Sequence, residues 1–249
     1  MIKITNLTKS FGTQVVLKDI SMQIPKGLTT AIVGPSGTGK SVLVKLITGL
    51  LQADSGEILV GDRSMTAAKS VDERLDICSS MGVLFQSAAL FDSLSLIENV
   101  AFPLNYRKQG SRTEIFSKSI KLLEDVGLAG YENYLPGEVS IGMRKRVGIA
   151  RALVTEPEFI FFDEPNTGLD PKVGQEIYEL IASLQEINNF TGVVISHEIP
   201  EVFQICHKIV MLYQGEVQFN GSIDEFVDND NEIVSQFYKG EIEGPISIA

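Results

Sequence analysis

The sequence predicts an α/β fold, and two observations carry that prediction. Short apolar runs ending in polar residues alternate along the chain with stretches whose apolar residues recur every three or four positions. One such run passes into a glycine-rich loop at 34–41, which then opens an amphipathic stretch. In chain order, 28–34 reads as a short buried strand. It is followed by a helix over 41–51 with Leu43, Leu46, Ile47 and Leu50 on one face. The runs 81–86 and 159–163 are further strands. Val173, Ile177, Leu180, Ile181, Leu184 and Ile187 mark a long amphipathic helix. Strands are expected again at 192–196 and 208–213, with a turn at 214–216 leading into 217–219. The stretch from about 87 to 157 differs, with helical patterns at 96–104, 113–126 and 141–155 and no convincing strand. It reads as a helical insert between two strands of one sheet.

Composition narrows the function. The 249 residues carry 21 Lys and Arg against 32 Asp and Glu, a net charge of −11. That balance speaks against a chain that wraps nucleic acid, which needs a basic footprint. It leaves small anionic ligands open, because a local site can oppose the global sign. Hydrophobic residues at 44% exclude wholesale disorder. Two cysteines make no disulfide framework and fit a reduced cytoplasmic setting. Residues 1–11 lack the apolar segment of a signal peptide, and no run approaches the roughly 20 apolar residues that span a bilayer. The chain is expected to be soluble and to serve a membrane, if at all, from its surface. The charge is uneven: 222–249 holds seven acids against Lys239 alone, a net of −6, and reads as an acidic tail.

Two motifs carry chemistry. Gly34-Pro35-Ser36-Gly37-Thr38-Gly39-Lys40-Ser41 matches G-x-x-x-x-G-K-[ST] in the context the motif demands, a strand before it and a helix after it. Its glycines let backbone N–H groups wrap an anion. The helix N-terminus adds partial positive charge, Lys40 adds a full one, and Ser41 offers a hydroxyl for Mg²⁺. The second motif is the strand 159–163, which runs into Asp163 and Glu164. Successive strand residues face opposite sides, so Asp163 can hold Mg²⁺ while Glu164 orients or deprotonates an attacking water.

Between these motifs lies Leu135-Pro136-Gly137-Glu138-Val139-Ser140-Ile141-Gly142-Met143-Arg144-Lys145-Arg146, continuing to Ala150-Arg151-Ala152-Leu153. This segment resembles the signature of ABC ATPases, usually L-S-G-G-Q followed by a basic stretch and A-R-A-L. Other family motifs follow in order: Phe11 where an aromatic stacks on adenine, Gln86 as the Q-loop residue, Thr167-Gly168-Leu169-Asp170 as the D-loop and His197 as the switch histidine. The resemblance spans roughly 1–221. It implies a P-loop NTPase (RecA-like) core sheet with an antiparallel β subdomain, an inserted helical signature subdomain and a short C-terminal tail. It further implies a homodimer that sandwiches two ATP molecules. Ser140, Gly142 and Asp170 of one chain would then close on the nucleotide held by the other. Glu164 would be the general base, His197 would hold γ-phosphate and water, and Ser41, Asp163 and Gln86 would serve the metal and water.

Two residues depart from the family pattern: Ile141 replaces a signature glycine and Met143 its glutamine. A branched side chain where backbone approaches a phosphate is expected to slow closure. The Arg144, Lys145, Arg146 and Arg151 cluster can be read as a solvated helix face.

The stretches 84–94 and 98–104, Met143, and the ending Gln236-Phe237-Tyr238-Lys239-Gly240 look like the ATPases of Mla/Mce-type lipid transporters. That subgroup implies transmembrane permease subunits, an Mce-domain lipid-binding protein and a place on the cytoplasmic face of the inner membrane. The segment after Gln86 would receive the permease, or else its apolar run, Ala88 to Leu90 with Phe91, is core. The alternatives are an ABC ATPase that signals through a membrane partner in cell division, the ATPase of another small-molecule transporter, or a soluble factor for DNA repair or translation. The tail reads either as a solvated appendage or as an arm to the second subunit, anchored by Ile233, Phe237 and Tyr238.

Overall fold

The computed structural model describes residues 1–246; the end of the predicted tail, 247–249, lies outside the described residues. The chain forms two compact units. One is Met1–Cys78 together with the chain from Thr191 onward, and the other is Ser79–Phe190.

The first unit begins with β1 (Ile2–Phe11) and β2 (Gln14–Ile24), an antiparallel pair. It contains β3 (Thr29–Val33), α1 (Lys40–Ile47), β4 (Ser55–Val60), the short β5 (Arg63–Ser64) and α2 (Val71–Cys78). Strands β2-β1-β4-β5 make an antiparallel sheet. Ile2, Ile4, Leu7, Leu17, Ile20, Met22 and Ile24 point into its core. The β1–β2 register slips beside Asn6 and Asp19, both left-handed, and the Asn6 amide donates to Asp19 Oδ1 at 2.7 Å. Asn and Asp tolerate this backbone, so the bulge is built from residues suited to it.

Strand β3 is buried at every position, as a strand covered on both faces must be. Past the helical unit the chain returns with β8 (Thr191–Ile195), β9 (Lys208–Tyr213) and β10 (Glu216–Gly221). Both β8 and β9 pair in parallel with β3, and β10 pairs antiparallel with β9. Helix α1 stops at Ile47, short of the 41–51 expected. Thr48 turns its hydroxyl back on the Val44 carbonyl, and Gly49 at φ 72° closes the helix and leaves Leu50 exposed.

The second unit holds β6 (Met81–Leu84) and β7 (Phe159–Asp163), paired in parallel. Between them come α3 (Leu96–Arg107), α4 (Arg112–Asp125) and α5 (Ile141–Leu153), and α6 (Pro171–Asn188) follows β7. Ser95 and Ser111 start α3 and α4 with reciprocal capping boxes to Glu98 and Glu114, each cap contributing about 1 kcal/mol. Along α6, Ile177, Tyr178, Ile181 and Leu184 are buried, whereas Ile187 lies beyond the core and is exposed.

The tail is structured as far as it is described. It forms α7 (Ile223–Val227) and α8 (Glu232–Lys239). Phe226 sits among Phe203, Phe219 and Tyr238, with ring centroids 5.1–6.1 Å away. The buried Gln236 side chain accepts from the Ile246 N–H at 2.7 Å and donates to the Ile246 and Glu241 carbonyls. Tyr238, expected as an anchor on a second subunit, thus packs against its own chain.

Candidate active site

In the first unit, β3 delivers the chain directly into the phosphate loop. Gly34, Gly37 and Gly39 take φ of 140°, 78° and 97°. At Gly34 an added Cβ would run into the Leu212 carbonyl, and at Gly39 it would meet Leu17 and Val16, so two of the glycines are fixed by packing under the loop. Gly37 opens onto free space. The N–H groups of Gly37 and Gly39 meet no acceptor among the described residues, the arrangement an anion would complete. Thr38 fastens the loop through its hydroxyl to the Pro35 carbonyl at 2.9 Å. Lys40, only 5% exposed, reaches back to the carbonyls of Gly34 and Pro35 at 2.7 and 2.8 Å. Its ammonium therefore already lies along the inside of the loop. Ser41 follows in the first turn of α1.

His197 lies just past β8, whose register beside β3 pairs Ile32 with Ile195. The parallel pairing brings the ends of these two strands, and so the loop and His197, to the same edge of the unit. His197 is exposed there.

The second unit carries the carboxylates. Asp163 ends β7, and Glu164 follows with φ 49°, a left-handed backbone uncommon for a side-chain-bearing residue. Glu164 Oε2 accepts from Gln86 Nε2 at 2.7 Å and from the Thr167 hydroxyl at 3.1 Å. The Q-loop candidate and the candidate base are thus in direct contact. Gln86 itself leads into Ala88 and Ala89, both at positive φ. A cavity of about 380 Å³ lies against this segment, lined by Gln86, Ile141, Lys145 and Thr167 among others.

Helix α5 supports the arrangement. Ser140 is its N-cap and accepts from the Met143 N–H at 3.2 Å. Gly142 packs where an added Cβ would come within 2.9 Å of Val173 Cγ1, so this signature glycine is required by the neighbouring helix α6. Asp170 caps α6 by accepting from the Val173 N–H. The start of the signature helix and the D-loop segment are therefore neighbours.

The basic cluster on α5 is mostly not a solvated face. Arg146 donates to the Val126 carbonyl and pairs with Glu176 at 3.1 Å. Arg151 donates to the Ala88 and Ala89 carbonyls. Lys145, 2% exposed, donates to the carbonyls of Gln86 and Glu164. Burial pushes the Lys145 ammonium below its ordinary range, and the negative charges of Glu164 and Asp163 pull it back up.

A sequence profile of the ABC transporter family matches residues 17–167. The chain belongs to the ABC transporter family. Among its relatives is the intermembrane phospholipid transport system ATP-binding protein MlaF of Haemophilus influenzae. The two are 38% identical over 99% of this chain and 93% of that protein. Protein trigalactosyldiacylglycerol 3, chloroplastic, of Arabidopsis thaliana is 37% identical over 99% of this chain and 75% of its own length. A probable ribonucleotide transport ATP-binding protein of Mycobacterium leprae is also 37% identical, over 100% and 71%. Among solved structures, a dimeric ATP-binding cassette in a post-hydrolysis state, bound to ADP and Pi, superimposes with a TM-score of 0.81. It is 32% identical and is covered over 99% of its length and 90% of this chain.

This ABC ATPase binds and hydrolyses ATP. Among the described residues no group of three or more His, Cys, Asp or Glu could hold a metal. Phe11 ends β1 and is 47% exposed, with the Lys9 ammonium over its ring at 5.4 Å from the centroid. Ile141 is 48% exposed and adds apolar surface at the head of the signature helix without disturbing the fold beneath it.

Two contributors escaped the sequence reading. Lys145 looked like one member of a charged run, and Thr167 like a mere motif letter. Only the paired strands β6 and β7 bring Gln86 and Glu164 under the same helix. No spacing rule announces that.

Proposed function

We propose that this chain is the ATP-hydrolysing subunit of a transporter that moves phospholipid or another hydrophobic substrate. In this reading it works as a homodimer beneath transmembrane permease subunits, with an Mce-domain lipid-binding partner, at the cytoplasmic face of the inner membrane. The observation that carries the reading is the likeness to MlaF over nearly the whole of both chains. No helix among the described residues is long and apolar enough to cross a membrane, which fits a subunit that relies on a separate permease.

In the proposed cycle, the loop 34–41 wraps the phosphates with its N–H groups, and Lys40 neutralises the β- and γ-phosphates. Phe11 stacks on the adenine. Ser41, Asp163 and Gln86 would hold Mg²⁺, which would supply positive charge against the phosphates. Glu164 takes the proton of the attacking water, and His197 holds the γ-phosphate and that water in line. The Glu164 carboxylate accepts hydrogen bonds from Gln86 and Thr167 on one oxygen, Oε2, which fixes its orientation. Ser140, Gly142 and Asp170 close on the nucleotide of the opposite chain. The permease docks beside the exposed rings of Phe91, Phe102 and Tyr106, which follow one another at 4.5 and 6.1 Å between centroids.

Glu164→Gln removes the base while keeping the shape. Its steady-state ATPase rate should fall at least about a hundredfold with ATP binding retained, and the ATP-loaded dimer should persist on a sizing column. A wild-type rate would remove Glu164 from the mechanism. For the cargo, purification of the intact complex should bring down a permease, an Mce-domain protein and extractable phospholipid. The relative named for ribonucleotide transport favours a second reading. A complex lacking lipid but retaining ribonucleotide on the permease side would establish that reading instead.

A further inference from the structure

Lys145 is among the largest fully buried side chains of the molecule, yet it sits in the middle of a helix and carries a charge. Burying an ammonium is costly unless it is paired or fully hydrogen-bonded. No carboxylate lies within ion-pair distance of it among the described residues. Its partners are two backbone carbonyls, those of Gln86 at 2.5 Å and Glu164 at 3.0 Å. The same two residues are joined through their side chains, Gln86 Nε2 to Glu164 Oε2 at 2.7 Å. The three residues close a ring: one ammonium grips both backbones, and the side chains meet on the far side.

The rest of α5 extends the grip. Arg151, further along the helix, donates to the carbonyls of Ala88 and Ala89, the turn that follows Gln86. Ser140 and Gly142 stand at the other end of the helix, where the signature begins. A shift of α5 along its axis therefore moves the hydrogen-bond donors that orient Gln86 and Glu164.

We propose that Lys145 is a positioning residue for hydrolysis, which sets Gln86 and Glu164 relative to one another and makes that setting depend on the position of the signature helix. This rests on the reading of Glu164 as the base. Lys145 acts through the two carbonyls it holds.

The test compares the full-length chain with Lys145→Met, which keeps length and volume but loses charge and donors, and with Lys145→Arg, which keeps both. Each is measured alone and in a Gln86→Ala background, by kcat and KM for ATP, by nucleotide affinity and by thermal unfolding. Lys145→Met should lower kcat about tenfold or more, with KM and nucleotide affinity within about twofold of wild type. Lys145→Arg should recover part of that loss. In the Gln86→Ala background the cost of Lys145→Met should shrink, because the ring is already open. A wild-type kcat for Lys145→Met, or an equal cost in both backgrounds, overturns the proposal. Should Lys145→Met fail to fold, Lys145→Gln, which also loses the charge, decides by the same comparison. A kcat change that is smaller without Gln86 supports the proposal; an equal change in both backgrounds, or none, overturns it. The two readings fail separately. Glu164→Gln at the wild-type rate removes the base, whereas an inactive Glu164→Gln beside a fully active Lys145→Met removes only the role of Lys145.

Discussion

The phosphate loop and the Gln86–Glu164 pair are built by opposite strategies. The loop is local. Eight consecutive residues supply the glycine conformations, the N–H groups and the lysine, and its fastenings run within the motif or to the strand ends beneath it. The carboxylate site is assembled from afar. Gln86 and Glu164 are 78 positions apart, and the groups that orient them come from a helix between them in sequence. A site made of backbone is robust to changes elsewhere and fragile to changes within. A site held by a distant helix can be tuned from that helix.

The largest effect should come from breaking the local site within. Gly34→Ala places a Cβ against the Leu212 carbonyl at a φ of 140°. It should cost about 2 kcal/mol of stability or more and abolish nucleotide binding, seen by thermal unfolding and by ATP titration. A variant that binds ATP normally would show that the loop is more deformable than its packing implies.

A smaller effect tests the distant strategy. Ile141→Gly removes the exposed branched side chain at the head of α5. The steady-state ATPase rate should rise about two- to fivefold, less than 1 kcal/mol in barrier, if that side chain hinders closure. An unchanged rate would clear Ile141 of any hindrance.

The smallest effect concerns the helical unit as a scaffold. Hydrogen bonds from the Ser111 hydroxyl and N–H hold the Glu114 carboxyl below its ordinary 4.5. A carboxyl with a lowered folded-state value stabilises above its unfolded value, and that stability is lost as the pH falls through the folded one. Glu114→Gln should therefore melt slightly below wild type at neutral pH, and the gap should close as the solution is taken below 4.5. A gap independent of pH would remove the carboxylate from the cap.

The same contrast explains what could be read in the sequence. Strands β3, β6, β7, β8 and β9 are near-continuous apolar runs and were legible, as was the phosphate loop. Strands β1 and β2 were not read directly. Bulges beside Asn6 and Asp19 break their inward spacing from two to three, between Ile4 and Leu7 and between Leu17 and Ile20, so the period-two pattern fails there. Helix α2 went unseen because only Ile77 of its eight residues is buried. Helix α1 reads longer in sequence than it is because Leu50 continues the apolar spacing after Gly49 has ended the helix. At the site, the residues proposed to touch the nucleotide are written as motifs. Lys145 is legible only once β6 and β7 are paired, because its partners are carbonyls, which carry no residue identity.

The left-handed backbones under α5 have an energetic side. Ala88, Ala89 and Glu164 each occupy a conformation that costs an ordinary residue about 1–2 kcal/mol, and the carbonyl of each is held by Arg151 or Lys145. The helix thus keeps the segment cocked, as a catch holds a spring. Two side chains of one helix fasten every one of these left-handed positions beneath it.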